Sequence, residues 1–241
     1  MEKDNVEDNE WLKQTKYINH KDPAITTLAQ SITSGIADDR AKAVAIHDWV
    51  RDNIQFGWTK HFWADSATDV LAAGKGFCNT KSTLFVALLR NVGIPARQHF
   101  VTIHCDSLHG LVKTGSEYVD HAYAEVYLDG KWLKTDSYVI DSKLFRNAQA
   151  RLTTENRLIG YGTIQGGQNT WDGRTDSFAQ FVNDGRVDYL TTRDYGVFED
   201  VETFYKTAPE TINGGRFTRA IICVLAMTGL INKKTESLRK S

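Results

Sequence analysis

Three cysteines in 241 residues are too few, too far apart and odd in number to make a disulfide framework. Cys78, Cys105 and Cys223 are therefore expected as thiols, in a reducing compartment. Neither sign of charge is in excess: the formal net charge is −1. No Lys/Arg block interleaved with aromatics offers an electrostatic footprint for nucleic acid. Long hydrophobic runs are also missing. The most apolar window, 220–231, is about twelve residues, too short to span a bilayer, and reads as a buried helix. Met1 to Glu10 is acidic and polar, without the basic and apolar regions of a signal peptide. These absences lead to the expectation of a cytoplasmic protein that binds neither nucleic acid nor membrane. Hydrophobic content of 41% and charged content of 24% are those of a globular chain with a core.

Helical signals dominate the first part. Ile25, Leu28, Ile32 and Ile36 recur at spacings of three and four between Pro23 and Ile36. Asp38 or Asp39 caps a second helix over about 40–54. Asp65-Ser66-Ala67-Thr68 starts a short third helix, stopped by Gly74 and Gly76. The helix after Cys78 carries Leu84, Phe85, Val86, Ala87, Leu88 and Leu89 on most of its circumference, so it belongs at the centre of the molecule. A strand follows at 97–103. Two alternating stretches, 122–128 and 131–138, are joined by Asp129-Gly130, a strong hairpin signal. Beyond Asp141 the pattern weakens. Gly160 to Gly173 reads as loop, with the polar stretch 165–176 as a surface loop or a cover for the site. Helical segments are expected at about 178–182, 197–207 and 217–231.

Cys78 opens its helix after Gly74-Lys75-Gly76-Phe77. A thiol there lies near unpaired backbone N–H groups and the positive end of the helix dipole, both of which favour thiolate. The hairpin supplies the other two groups. With Leu128 opposite Lys131, Asp136 falls opposite Tyr123 and His121 opposite Tyr138. His121 and Asp136 then share a face as diagonal neighbours, about 7–8 Å apart at the backbone. Register alone thus offers a nucleophile, a base and a group that orients the base. The same register sets Glu125 against Lys134 and Tyr127 against Trp132. Taken singly, each of the three has a plainer reading: a buried small hydrophobe, a structural histidine, a turn aspartate. Their joint placement favours the catalytic one.

The stretches Gly76-Phe77-Cys78, His121-Ala122-Tyr123-Ala124-Glu125-Val126 and Gly130-Lys131-Trp132-Leu133-Lys134-Thr135-Asp136 resemble the three core motifs of the transglutaminase-like superfamily. The stretch Ile46-His47-Asp48-Trp49-Val50-Arg51-Asp52-Asn53-Ile54, with Phe56-Gly57-Trp58, resembles its leading helix. The resemblance covers about 40–141. It implies a papain-like α+β fold, with a central buried helix against an antiparallel sheet. It assigns Cys78 as nucleophile, His121 as base and Asp136 as orienter, and it requires no metal or organic cofactor. Asn79-Thr80-Lys81 departs from the acidic or aromatic residue many members carry after the nucleophile.

The expected organisation is an N-terminal segment over 1–24, partly disordered, a catalytic core over 25–145, and a mainly helical extension over 146–241 packed on the core. The expected activity is acyl transfer through a Cys78 thioester. Water as acceptor gives a peptidase or amidase, and an amine gives transglutaminase-type transfer. A substrate carbanion would give a Dieckmann-type cyclase releasing a chain from a carrier protein. A binding module that kept the fold without catalysis is the alternative from another class. Trp58, Phe77 and Tyr123 are candidate substrate contacts, although Trp58, Phe62 and Trp63 read first as core, with substrate-groove lining the alternative. His99, His104, Cys105 and His109 cluster within eleven residues but lack the spacing of a metal site.

Overall fold

Helix starts in this chain are written by side chains. A computed structural model describes residues 10–113, 117–181, 191–207 and 229–241. Asp22 caps α1 (Pro23–Thr33), Asp38 caps α2 (Asp39–Asn53), and Ser66 with Asp69 forms a reciprocal capping box on α3 (Ala67–Ala73). Such caps satisfy first-turn N–H groups that have no partner within the helix. Gly74 ends α3 in the left-handed region at φ 61°, a conformation glycine adopts without a Cβ clash.

Two short parallel strands follow, β1 (Gln55–Phe56) and β2 (Lys75–Gly76). They deliver the chain to α4 (Cys78–Asn91), in which every residue from Cys78 to Arg90 is buried. Leu84, Phe85, Val86, Leu88 and Leu89 pack on α1, α2 and the inner face of a four-stranded antiparallel sheet. Each such aliphatic side chain contributes roughly 1.5–3 kcal/mol on burial. The sheet order is β5 (Lys131–Thr135), β4 (Tyr118–Leu128), β3 (Ala96–His104), β8 (Thr191–Phe198).

The hairpin has the expected register: Leu128 faces Lys131, Glu125 faces Lys134 and Ala124 faces Thr135. Tyr127 and Trp132 make a ring contact at 5.2 Å. Glu125, however, does not pair with Lys134. Its carboxylate lies against Arg97 at 2.6 Å and His99 at 2.8 Å. β5 ends at Thr135 rather than continuing to Tyr138.

The second half holds the larger differences. α5 (Ser142–Thr154) is capped by Asp141 and buries Leu144, Ala148 and Leu152, a spacing of four that the sequence carries but the reading above did not use. Two short strands, β6 (Ile159–Gly160) and β7 (Thr163–Ile164), interrupt the expected loop. The stretch 165–176 is irregular and mostly exposed, as expected of a surface loop, but it is anchored by Trp171, buried against His47 and Phe85. Residues 178–181 are not helical. β8 supplies an edge strand to the main sheet that was not expected; it takes Val197 and Phe198 from the expected helix, which begins only at α6 (Val201–Thr207).

The expected helix over 217–231 and Cys223 lie outside the described residues, apart from 229–231. The last helix, α7 (Leu230–Lys240), is fixed to the core by Arg239. The Arg239 guanidinium meets the Asp141 carboxylate at 2.7 Å and donates to the Phe56 carbonyl at 2.6 Å. Asp141 also accepts from the Phe56 and Leu144 N–H groups, so one buried carboxylate joins β1, α5 and α7. Among the described residues no helix is long and apolar enough to cross a membrane.

Candidate active site

Cys78 sits at the first turn of α4. Phe77 precedes it in extended conformation, and its N–H donates to Thr80 Oγ1 at 3.0 Å. That bond closes the helix start by a residue inside the first turn. His121 projects from β4. Its Nε2 lies 3.0 Å from Asp136 Oδ2, with both side chains at or below 1% exposure. Asp136 stands just past the end of β5. Its other oxygen, Oδ1, accepts from the backbone N–H groups of Ala179 at 2.5 Å and Gln180 at 3.3 Å. The Asp136 N–H donates to the Ser177 carbonyl. Two N–H donors on one oxygen fix the carboxylate in orientation. With Nε2–H directed to Asp136, Nδ1 is the ring nitrogen left to exchange a proton.

Asp136 is buttressed from the other side as well. His47 on α2 is fully buried, with Nε2 2.7 Å from Ser137 Oγ and Nδ1 2.9 Å from Asp48. Ser137 Oγ also lies 2.8 Å from Thr135 Oγ1. The residues flanking Asp136 are thereby tied to each other and to α2. Burial lowers the affinity of His47 for a proton, which suits a neutral structural imidazole.

Cys78 and His121 line one cavity with Trp58, Phe77, Phe62 and Phe56; Asp120 and Gln180 line it too. Trp58 and Phe77 stack at 5.9 Å, and Phe62 stacks on Phe77 at 5.1 Å. Tyr123 is elsewhere. It shares a sheet face with His121 but stacks on His99 at 4.6 Å and meets Phe178 and Phe181, outside the cavity wall. Trp63 also turns away, onto Tyr205 and Tyr17.

The thiol departs from expectation. Burial pushes the Cys78 pKa far above the ordinary thiol range, and the charges of Asp120 and Asp136 push the same way. Backbone N–H groups of Ala122 and Asn79 pull in the other direction and are outweighed. The helix-start argument is sound in sign, but desolvation of a buried sulfur is the larger effect. The resting Cys78 is a neutral thiol. The Asn79 Oδ1 accepts from it at 3.2 Å. Asn79 Nδ2 in turn donates to Asp120 at 2.8 Å and to Tyr205 Oη at 2.7 Å, and Tyr205 donates to Asp120. Asn79, Asp120 and Tyr205 thus form a network around the sulfur, fed in part by α6. Only Asn79, as the departure after the nucleophile, had drawn notice in the sequence.

The histidine cluster does not converge. His99 bonds Glu125 and Asp194, and His109 packs on Tyr161. His104, Cys105 and Asp106 do hold their ligand atoms within 4.8 Å of one another. They are consecutive, partly exposed residues on one turn, which is a weak arrangement for a metal.

The model of the transglutaminase-like superfamily matches residues 26–137. No curated protein matches the chain. Among solved structures, a Cytophaga hutchinsonii protein described provisionally as a cysteine protease is similar over 53% of this chain, at 23% identity and a TM-score of 0.44. A Parabacteroides distasonis protein described provisionally as a protease is similar over 52%, at 18% identity and a TM-score of 0.36. The matched part spans 40% of the first protein and 24% of the second. Cys78, His121 and Asp136 all lie within the part of the chain that is similar to the transglutaminase-like superfamily.

Proposed function

We propose that this chain is a cysteine-nucleophile acyl-transfer enzyme, acting on a peptide or amide, with Cys78 as nucleophile, His121 as general base and Asp136 as the group that orients His121. Similarity to the transglutaminase-like superfamily over 26–137 supports thiol-dependent catalysis in general. The observation that carries the specific reading is the 3.0 Å His121–Asp136 contact, on a histidine that shares a cavity with Cys78.

Because the thiol rests neutral, attack and deprotonation belong to one step. The sulfur bonds to the acyl carbon as His121 Nδ1 takes the thiol proton, and the imidazolium formed is stabilised by Asp136. The tetrahedral intermediate collapses with cleavage of the C–N bond, and His121 returns the proton to the leaving amine. The Cys78 thioester is then attacked by water or by a second amine, again with His121 as base. Water gives a free acid and hydrolase activity; an amine gives a new amide.

Incubation with an amide or activated ester, followed by acid quench and peptide mass spectrometry, tests this reading. An acyl adduct should appear on Cys78 and be absent in Cys78→Ala. Release by added hydroxylamine identifies it as a thioester. Adduct formation on Cys105 alone, or unchanged turnover in Cys78→Ala, would sink the reading and leave a binding module on this fold.

A further inference from the structure

The cavity that holds Cys78 and His121 encloses about 60 Å³, and most of its wall is aromatic or aliphatic. Besides Cys78, His121 and Asp120, two polar side chains break that wall, Ser107 and Gln180. Both are buried, at 0% and 3% exposure, and Ser107 Oγ and Gln180 Oε1 have no hydrogen-bond partner among the described residues. Buried polar atoms are nearly always paired. Two orphans on one small cavity beside a nucleophile point to a ligand group that pairs them.

Their positions are built in. Gln180 Nε2 donates to the Gly162 carbonyl at 2.9 Å, which fixes the amide so that Oε1 is the unpaired end, able only to accept. The Gly162 N–H donates to the Ser107 carbonyl at 2.7 Å. Gly162 is left-handed at φ +80°, and a Cβ there would come within 3.0 Å of Ile140. Only glycine holds both partners comfortably. The Gln180 N–H also reaches Asp136 Oδ1, so the residue that supports the orienting carboxylate also faces the acyl cavity.

We infer that the acyl group accepted by Cys78 is a small apolar aminoacyl group, whose nitrogen donates to Gln180 Oε1 while its side chain fills the aromatic pocket. This rests on the acyl-transfer reading above. Gln180 Oε1 requires a donor. In so small a cavity that donor lies within a few atoms of the acyl carbon, where the α-nitrogen of an aminoacyl group stands. The Asp120 carboxylate on the same cavity favours a nitrogen, charged or neutral, over an anionic group. Ser107 Oγ, donor and acceptor both, can serve the same nitrogen or the neighbouring carbonyl.

The test compares the benzyl thioesters of L-leucine and 4-methylpentanoic acid, which differ only in the amino group. Single-turnover acylation of Cys78 is read by mass spectrometry, against the reaction of each ester with a small thiol. The leucyl ester should gain at least about tenfold over its intrinsic advantage, since a site built to pair a polar group rejects an analogue lacking it. Gln180→Leu should reduce that gain to near one, and Ser107→Ala should reduce it in part. A wild-type ratio equal to the intrinsic one, or a ratio untouched by Gln180→Leu, overturns the inference. A second arm uses Cys78→Ala protein and titrates leucinamide against 4-methylpentanamide. Tighter binding of leucinamide, lost in the added Gln180→Leu change, supports the subsite; equal binding overturns it. If neither ester acylates Cys78 while leucinamide binds selectively, the thioester mechanism fails and the subsite stands.

Discussion

Lys81 Nζ donates to the Ile54 carbonyl at 2.5 Å, so the fourth residue of the nucleophile helix closes the C-terminal end of α2 from inside the core. The Arg51 carbonyl lies 3.5 Å from the same nitrogen. Lys81 is fully buried, and burial brings its pKa down to about 7. A cation near a helix C-terminus is favourable, but here desolvation outweighs that attraction.

A pH dependence of stability follows. The unfolded chain keeps the Lys81 proton up to about pH 10, while the fold releases it near 7. Between those values the unfolded state binds more protons, so stability rises with pH. Below 7 the charged form inside the fold costs on the order of 5 kcal/mol. Above about pH 9 the sign reverses. Cys78, Tyr123 and Tyr138 hold protons in the fold that the unfolded chain gives up, because burial raises all three. Urea midpoints should climb from pH 7 to pH 9 and then fall. Lys81→Met should flatten the climb; a wild-type midpoint that is level or falling over that interval contradicts the assignment.

Asp136→Asn should keep the fold and reduce turnover by several orders of magnitude, because an amide oriented by the Ala179 and Gln180 N–H groups presents its NH2 to His121 Nε2 and holds the wrong tautomer. His121→Ala should be comparably inactive, since losses within such a set do not add. Activity above about half of wild type in Asp136→Asn, judged on the same non-additive scale, would show that the contact orients nothing in the reaction.

Alkylation should reveal a protected thiol. At neutral pH iodoacetamide should modify the partly exposed Cys105 ahead of Cys78, the reverse of what a helix-start thiolate would show. Asp120→Asn removes one of the charges that keep the Cys78 proton in place, so it should move the onset of Cys78 labelling to lower pH. Peptide mapping at a series of pH values reads both effects. Rapid labelling of Cys78 at pH 6.5 in the wild type would contradict the neutral resting state.

Arg239→Met should destabilise the fold by about 3–5 kcal/mol, the cost of leaving a buried carboxylate without its partner, because Asp141 keeps its place at β1 and α5 when the guanidinium is gone. The loss should be greatest above pH 5. Asp141 is held below the usual carboxylate range chiefly through its bonds to Arg239, against the opposing effect of burial, so the stabilising pair is present when the acid is ionised and lost as pH falls. Thermal melts at pH 4 and 7 measure the difference. Equal melting temperatures at pH 7 would place α7 outside the folding unit.

The parts of this architecture visible in the sequence are those encoded locally. The caps at Asp38 and Ser66, the all-round apolar α4 and the Asp129-Gly130 turn each specify their element with neighbours in the chain. The His121–Asp136 contact was legible because a hairpin converts a sequence interval into a distance. What was not legible depends on distant partners. β8 goes unread because the strand it pairs with lies nearly a hundred residues upstream. Glu125 has Lys134 beside it, yet it is claimed by Arg97 and His99 from the neighbouring strand. Tyr123 carries the alternation of an active-site face, but the ring of His99 settles its place. The raised Cys78 pKa depends on how deeply α4 is buried and on Asp120, neither of which is a property of the motif.

Residues 177–180 lie beyond the last residue matched by the superfamily model, yet they grip Asp136 through three backbone hydrogen bonds. The matched segment ends one residue after that carboxylate, so the clamp on it is encoded outside that segment. A chimera joined at residue 137 would therefore exchange the hydrogen bonds that aim Asp136 together with everything downstream of the join.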